Sequence, residues 1–249
     1  LSTGLNYIKQ ALILGVKIKK IIGLSNVINR DKNLISGLID IKTFCIENSI
    51  QYEYVDDYSL INESTEILGE NIDFIWVCGW QRLIPEAFIS KARLGTIGAH
   101  GSCDGITKGR GRSPQNWALL MGSKKFQISL FKIESGIDNG KVISTETFEL
   151  KSTDTIRTSY IKCGFAISKS IHAIYVNPSL IENSIDQTGL VTYFPKRTPE
   201  DGLIDWNLSV ITIHNQVKAL SDPYPNSRTI IKNNVIYIKR SNPIECEHN

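Results

Sequence analysis

The sequence contains no CxxC pair and no Cys/His pairing at metal-ligand spacing. Its five cysteines, Cys45, Cys78, Cys103, Cys163 and Cys246, are odd in number and scattered. That set fits reduced thiols in a cytoplasm better than a disulfide framework. No apolar run reaches the ~18–20 residues of a membrane-crossing helix, and no secretory signal is visible. Charge of one sign is also missing. With 28 Lys+Arg against 25 Asp+Glu the net charge is +3, so neither nucleic acid nor a membrane surface attracts the chain strongly. Internal repeats and low-complexity segments are absent, which excludes solenoids and propellers.

What remains is an ordinary globular composition, 41% hydrophobic and 21% charged over 249 residues. That suits one or two domains with a sizeable core. The first half alternates helix-like and strand-like segments. Leu5 to Leu14 is apolar at helical spacing, Val16 to Leu24 is β-rich, and Asn33 to Asn48 is an amphipathic helix candidate. Gln51 to Val55 reads as a strand, and Ser64 to Leu68 lies in a helix-like stretch. Asp73 to Cys78 is an apolar run expected to be buried on both faces. Leu94 to Ala99 is a further strand. This order predicts an α/β fold, a Rossmann-like open sheet that is mostly parallel. The chain opens on Leu1-Ser2-Thr3-Gly4 and runs directly into a helical pattern. Such a fold places a strand before that turn, so a first strand is expected to be missing.

Beyond Ala99 the pattern changes. Ser113 and Pro114 mark a helix start, with Ser113 as N-cap. Phe126 to Glu134 alternates in period two, Lys141 to Leu150 is its expected neighbour, and Asp154 to Tyr175 is a long helix candidate. A boundary is expected between Asn183 and Thr188. The division is therefore 1–184 for a catalytic domain and 189–249 for a small α+β extension, with a helix over Val210 to Leu220 and a strand pair around Asn233-Asn234. The extension is small enough to pack on the main body.

The chemistry concentrates between Gly95 and Ile143. His100 follows a short apolar strand and precedes a Gly-rich loop. In open α/β sheets the carboxyl ends of strands are where ligands bind, and an imidazole there can move protons near neutral pH. A His in that position can also simply bond a loop carbonyl. Asp138 lies in Gly136-Ile137-Asp138-Asn139-Gly140, between two β-like runs. Asp and Asn suit a hairpin turn for backbone reasons, yet Asp138 could also turn a carboxylate to His100 and orient its ring. Lys108-Gly109-Arg110-Gly111-Arg112 feeds a helix N-terminus, as an anion site would. A solvated loop has the same composition.

Taken in order, these residues resemble the formyltransferase family that uses N10-formyltetrahydrofolate, in the branch of methionyl-tRNA and amino-sugar nucleotide formyltransferases. The resemblance rests on His100-Gly101-Ser102, Gly109-Arg110-Gly111-Arg112-Ser113-Pro114, Asn116-Trp117-Ala118 and Asp138-Asn139-Gly140. Gly79-Trp80-Gln81-Arg82-Leu83-Ile84-Pro85 resembles the family segment that holds the folate pterin. Tyr193 to Gly202, Ile204-Asp205-Trp206 and Pro223-Tyr224-Pro225 resemble the junction and start of the C-terminal region. The family also begins with a strand, in line with the one expected to be missing.

The resemblance implies attack of a neutral amine on the formyl carbon, a tetrahedral intermediate and release of tetrahydrofolate. It assigns His100 as proton carrier and Asp138 as its orienting group or base. It assigns Trp80, Gln81, Arg82, Leu83, Ile84, Pro85 and Gly136 to the folate, and Ser102, Arg110, Arg112 and Asn116 to the acceptor. No metal is required. Two departures stand out. Gly98 occupies the place of a family Asn that bonds the formyl oxygen, so the oxyanion needs another donor, such as a backbone N–H, Ser102 or Asn116. Cys103 to Thr107 replaces a Leu-Leu-Pro loop. The His-Gly-Ser and Arg-Gly-Arg-Ser-Pro forms, and the short tail, favour a small amine acceptor such as a nucleotide-linked amino sugar. Methionyl-tRNA is the alternative partner. Hydrolysis of the formyl donor, or folate binding without catalysis, are the other classes. The expectation is a cytoplasmic enzyme with no membrane partner. No oligomeric state follows from the sequence.

Overall fold

The computed structural model describes residues 2–25 and 38–244. Helix α1 covers Ser2–Ile13. It closes with the N–H of Gly15 on Leu12 O and that of Val16 on Ala11 O, a helix-ending pattern with Gly15 at φ 89°. These residues are spent on the cap, so strand β1 starts only at Lys20 and ends at Leu24. The helix expected over Asn33 to Asn48 falls partly outside the described residues. Its described part is helical at α2, Lys42–Glu47, where Asp40 accepts the Lys42 N–H at 2.9 Å and stops the helix from starting earlier. Strand β2, Gln51–Val55, pairs parallel with β1 from Lys20↔Gln51 to Leu24↔Val55. The helix-like stretch at Ser64 is one 3-10 turn, Thr65–Leu68, begun by the Ser64 side chain.

Strand β3, Phe74–Trp76, pairs parallel with β4, Gly95–Ser102. Helix α3, Glu86–Ile89, lies between them in sequence. All three β3 residues are half-buried, not enclosed on both faces as the apolar run suggested. The strand order β3-β4-β6-β7 explains this, because β3 stands at the end of its sheet. Short strand β5, Arg110–Gly111, leads into α4, Pro114–Leu120. Strand β6 is Lys125–Lys132 and β7 is Val142–Glu149. The Ile133 N–H donates to Thr96 O, while Lys132 bonds Lys141 and Leu150 bonds Lys124. These pairings run β6 antiparallel to both neighbours. Helix α5 spans Ile156–Val176 and α6 Ser179–Glu182. Strand β8 is Tyr193–Phe194, α7 is Val210–Ala219, and β9 and β10 are Ser227–Ile231 and Asn234–Ile238. The last hairpin turns at Lys232 and Asn233, both left-handed at φ 48° and 64°, the two-residue geometry that fits twisted strands.

The chain forms two compact units. One holds residues up to His100 with Ser129–Glu146 and Gly164–Thr188; the other holds Gly101–Ile128, Thr147–Cys163 and the chain from Gly189. In the first, Ile21, Ile41, Cys45 and Ile50 form one apolar cluster, and Leu24, Val55, Leu60 and Phe88 another, against which Trp80 and Ile84 pack. A fully buried side chain such as Val55 contributes about 1.5–3 kcal/mol. In the second unit α4 packs on α7. Among the described residues no helix is long and apolar enough to cross a membrane.

Candidate active site

His100 is part of β4 itself, two positions before its end, and not beyond the strand as its sequence neighbours suggested. Its side chain is 7% exposed, and Nδ1 lies 3.3 Å from Oδ2 of Asp138. Asp138 belongs to the turn between β6 and β7. Its backbone is left-handed at φ 49°, a conformation that Asp and Asn enter more readily than other side-chain-bearing residues. Gly140 is required by contact: a Cβ there would stand 1.8 Å from Lys132 O. The Asn139 amide donates to Ser135 O at 2.9 Å. Asp138 is thus a turn residue for backbone reasons and still directs its carboxylate to His100. An imidazole facing a carboxylate through Nδ1 has its tautomer set, with Nε2 as its other working nitrogen.

Beside this pair is a cavity of about 320 Å³ lined by Val77, Trp80, Arg82, Leu83, Ile84, Glu86, Ile89, Phe131, Ile133 and the turn from Glu134 to Asp138. Its walls are mainly aromatic and branched apolar side chains with a few charged groups, the make-up of a small-molecule site. Trp80, Arg82, Leu83, Ile84 and Gly136 line it, whereas Gln81 and Pro85 do not. The Gln81 N–H donates to Tyr58 Oη at 3.1 Å, and Pro85 starts α3. Tyr58 also meets Trp80 edge-on at 4.9 Å between ring centres, with the Arg82 guanidinium 5.1 Å from its own ring centre. No local motif marked Tyr58, because its contacts skip more than twenty positions. The signal for Phe131 and Ile133 was present in the alternation of Phe126 to Glu134, which puts both on one face.

Phe131 and Ile133 also account for Gly98. A Cβ at Gly98 would lie 3.1 Å from Phe131 Cζ and 3.1 Å from Ile133 Cγ1. The space for a side chain on β4 at this point is taken by β6.

Ser102, Arg110, Arg112 and Asn116 fall in the second unit. The Ser102 hydroxyl donates to Lys108 O and accepts the Asp104 N–H at 3.2 Å, closing the loop between them. Arg110 is 6% exposed and sits on β5, paired with Tyr193 of β8; Arg112 is exposed. Ser113 precedes α4 as expected, but it is left-handed at φ 58° and its side chain makes no capping bond. Asn116 is 1% exposed. Its amide donates to Ala219 O at 2.6 Å, while its buried Oδ1 has no hydrogen-bond partner among the described residues. The Gly-rich loop has a packing reason too. The Phe194 ring occupies the place of a Cβ at Gly109 and stacks on Trp117 at 5.3 Å, with Arg197 over the other ring.

Burial pushes the thiols of Cys45, Cys78, Cys103 and Cys163 upward, so none is a ready thiolate nucleophile. Among the described residues no group of three or more His, Cys, Asp or Glu is placed to hold a metal.

Comparison with known proteins adds to this geometry. Residues 52–172 match the family described as formyl transferase, and residues 196–249 match the formyl transferase C-terminal domain. The bifunctional polymyxin resistance protein ArnA of Wigglesworthia glossinidia brevipalpis is 31% identical over 173 residues, 68% of this chain and 26% of that protein. The chain therefore spans about a quarter of that relative. Methionyl-tRNA formyltransferase from Clostridium thermocellum has a similar structure, with a TM-score of 0.61 at 21% identity over 92% of this chain and 94% of that one. A sugar N-formyltransferase from Shewanella sp. gives a TM-score of 0.66 at 11% identity over 99% and 96%.

Proposed function

Because this chain belongs to the formyl transferase family, we propose that its His100–Asp138 site moves a formyl group from N10-formyltetrahydrofolate to a primary amine. The carrying observation is the 3.3 Å approach of Nδ1 and Oδ2 at a turn that also lines the apolar cavity. A pterin is a flat bicycle with polar edges. Trp80, Leu83, Ile84, Phe131 and Ile133 offer it an apolar slot, and Arg82, Gly136 and Asp138 lie at that slot's wall. When bound, the folate supplies the electrophilic formyl carbon; the attacking amine sheds one proton and N10 gains one. His100 Nε2 carries that proton, and Asp138 holds the ring and balances its charge while the proton is on it. Confinement of donor and amine side by side supplies much of the acceleration. Gly98 adds no side-chain donor, so the charge on the formyl oxygen falls to His100 and to backbone N–H groups.

The acceptor is a small amine, a nucleotide-linked amino sugar being the preferred class, with Arg110 or Arg112 meeting a phosphate. The motif forms of the Gly109–Pro114 loop and the net charge of +3 support it, since a tRNA body is gripped mainly through many cationic contacts. Methionyl-tRNA is the second reading, favoured by the match of residues 196–249 to the family's C-terminal domain. Residues 1–184 carry the catalysis in this reading, 189–249 form the smaller C-terminal region, and the enzyme works in the cytoplasm. An acceptor panel tests all of this. N10-formyltetrahydrofolate is supplied with water alone, with nucleotide-linked amino sugars or with methionyl-tRNA, and tetrahydrofolate release is followed. Release only with an amino sugar is expected. Release with water alone would make the protein a hydrolase, and release with none would leave a folate-binding protein.

A further inference from the structure

We infer that Gln187 is a positioning residue for Asp138, holding the turn through two backbone carbonyls; this rests on the His100–Asp138 reading above. Gln187 Nε2 lies 2.8 Å from Asp138 O and 2.7 Å from Gly140 O. A carboxamide nitrogen has two hydrogens, so one side chain donates to both carbonyls. The turn needs such a hold. Asp138 is left-handed, a backbone conformation that a residue with a side chain holds at some cost, and Glu134 to Ile137 and Asn139 are exposed. The Asn139–Ser135 bond closes the turn on itself without tying it to anything outside. Gln187 supplies that tie from a registered position. Two residues earlier, Ile185 exchanges both backbone hydrogen bonds with Val142 at the start of β7, at 2.9 and 2.8 Å. The Asp138 carboxylate grows from the residue whose carbonyl is clamped, so a shift of the turn by about an ångström changes its approach to His100, and displacements of that size cost up to ~10²-fold in rate. The residue type is specific. A Glu would set a carboxylate against two carbonyl oxygens, and an Asn falls one methylene short.

The test uses the full chain and the variants Gln187→Ala, Gln187→Met, Asp138→Ala and Gln187→Ala with Asp138→Ala. Backbone 15N relaxation without ligand reads the clamp directly. Order parameters from Ser135 to Gly140 are expected to fall in both Gln187 variants while β1 and β2 stay unchanged; unaltered order parameters in the turn overturn the inference. Formyl release from N10-formyltetrahydrofolate, with the acceptor chosen by the panel, reads its consequence. Gln187→Ala is expected to lower kcat by about 10–100-fold, to leave the folate KM within about two-fold, and to add nothing in the Asp138→Ala background. Additive losses would make Gln187 a general structural residue and overturn its role here. Wild-type kcat in Gln187→Ala would do the same and leave the His100–Asp138 reading standing; wild-type kcat in Asp138→Ala would sink that reading itself. If the alanine variant does not fold, Gln187→Met keeps the length without the donor and carries the same comparison.

Discussion

The imidazole of His100, buried on β4, has its Nδ1 3.3 Å from a carboxylate oxygen of Asp138, held on a left-handed turn residue. A strand supplies the ring and a hairpin turn supplies the charge. The two are far apart in sequence and meet because β4 and β6 pair antiparallel.

Replacing His100 with Ala is expected to lower kcat by about 10²–10⁴-fold, the usual share of a proton-transfer group. Folate affinity should stay within a few-fold, because the cavity walls are other residues. Equilibrium binding of tetrahydrofolate beside steady-state turnover measures both. A variant with full activity is incompatible with the proposed role.

Asp138→Asn separates charge from backbone. Asn tolerates the same left-handed φ, so the melting temperature should hold while kcat falls by about 10²-fold or more. Asp138→Ala should lose stability as well as rate. Thermal melts and turnover on the two variants give the comparison, and equal kcat in Asp138→Asn and wild type would remove the carboxylate from the mechanism.

Gly98→Asn is expected to fail as a gain of function. Its Cβ alone would press on Phe131 and Ile133, and overpacking of this kind costs about 1–3 kcal/mol. The variant should melt earlier and show no higher kcat. Adding Ile133→Ala makes room, so partial recovery of stability in the double variant checks the cause. A faster, equally stable Gly98→Asn enzyme would contradict this account.

Tyr58→Phe removes the acceptor of the Gln81 N–H but keeps the ring against Trp80 and Arg82. One such bond contributes about 0.5–1.5 kcal/mol. The folate KM should rise by roughly 2–10-fold with little change in kcat, and Tyr58→Ala should raise it further. A fall confined to kcat would place Tyr58 elsewhere in the mechanism.

The loop around Tyr58 should lose stability in acid. The Ser59 hydroxyl and the N–H groups of Asn62 and Ser59 donate to Asp57, and these bonds hold its carboxyl down at about 2, against an ordinary value near ~3.9. A depressed folded-state value gives stability that is complete above the unfolded value and is lost as pH falls from about 4 toward about 2. Carboxyl carbon NMR should show an Asp57 midpoint near 2, and Asp57→Asn should abolish that acid dependence of the loop. A midpoint near the ordinary value would mean that these bonds do not form in solution.

How far these features could be read from sequence depends on what kind of contact makes them. The β2, β4, β6 and β7 strands announce themselves because half-buried or buried strands need apolar or alternating residues. Asp73 to Cys78 misled about enclosure, since apolar content does not say whether a strand stands at the end of a sheet. His100 and Asp138 were legible as a pair through ordered motifs, but their 3.3 Å approach was not. Gln187 and Tyr58 gave no signal: each acts through a bond between a side chain and distant backbone, and any polar residue of suitable length looks alike in a string of letters. Ser102 and Asn116 show the opposite case. Motif position points both to the acceptor, while the fold engages the hydroxyl of one and the amide of the other with carbonyl oxygens.

Neither compact unit is one continuous stretch. The chain passes from one to the other inside β4, inside β6, inside β7 and inside α5. Recombination between genes exchanges continuous stretches, so a crossover at any of these four passages would leave a strand or the long helix with two parentages and mismatched packing. The passage at Thr188–Gly189 lies between named elements. Swapping everything beyond it leaves His100, Asp138 and Gln187 on a single parent, which makes that junction the natural place to graft a new C-terminal region onto the same chemistry.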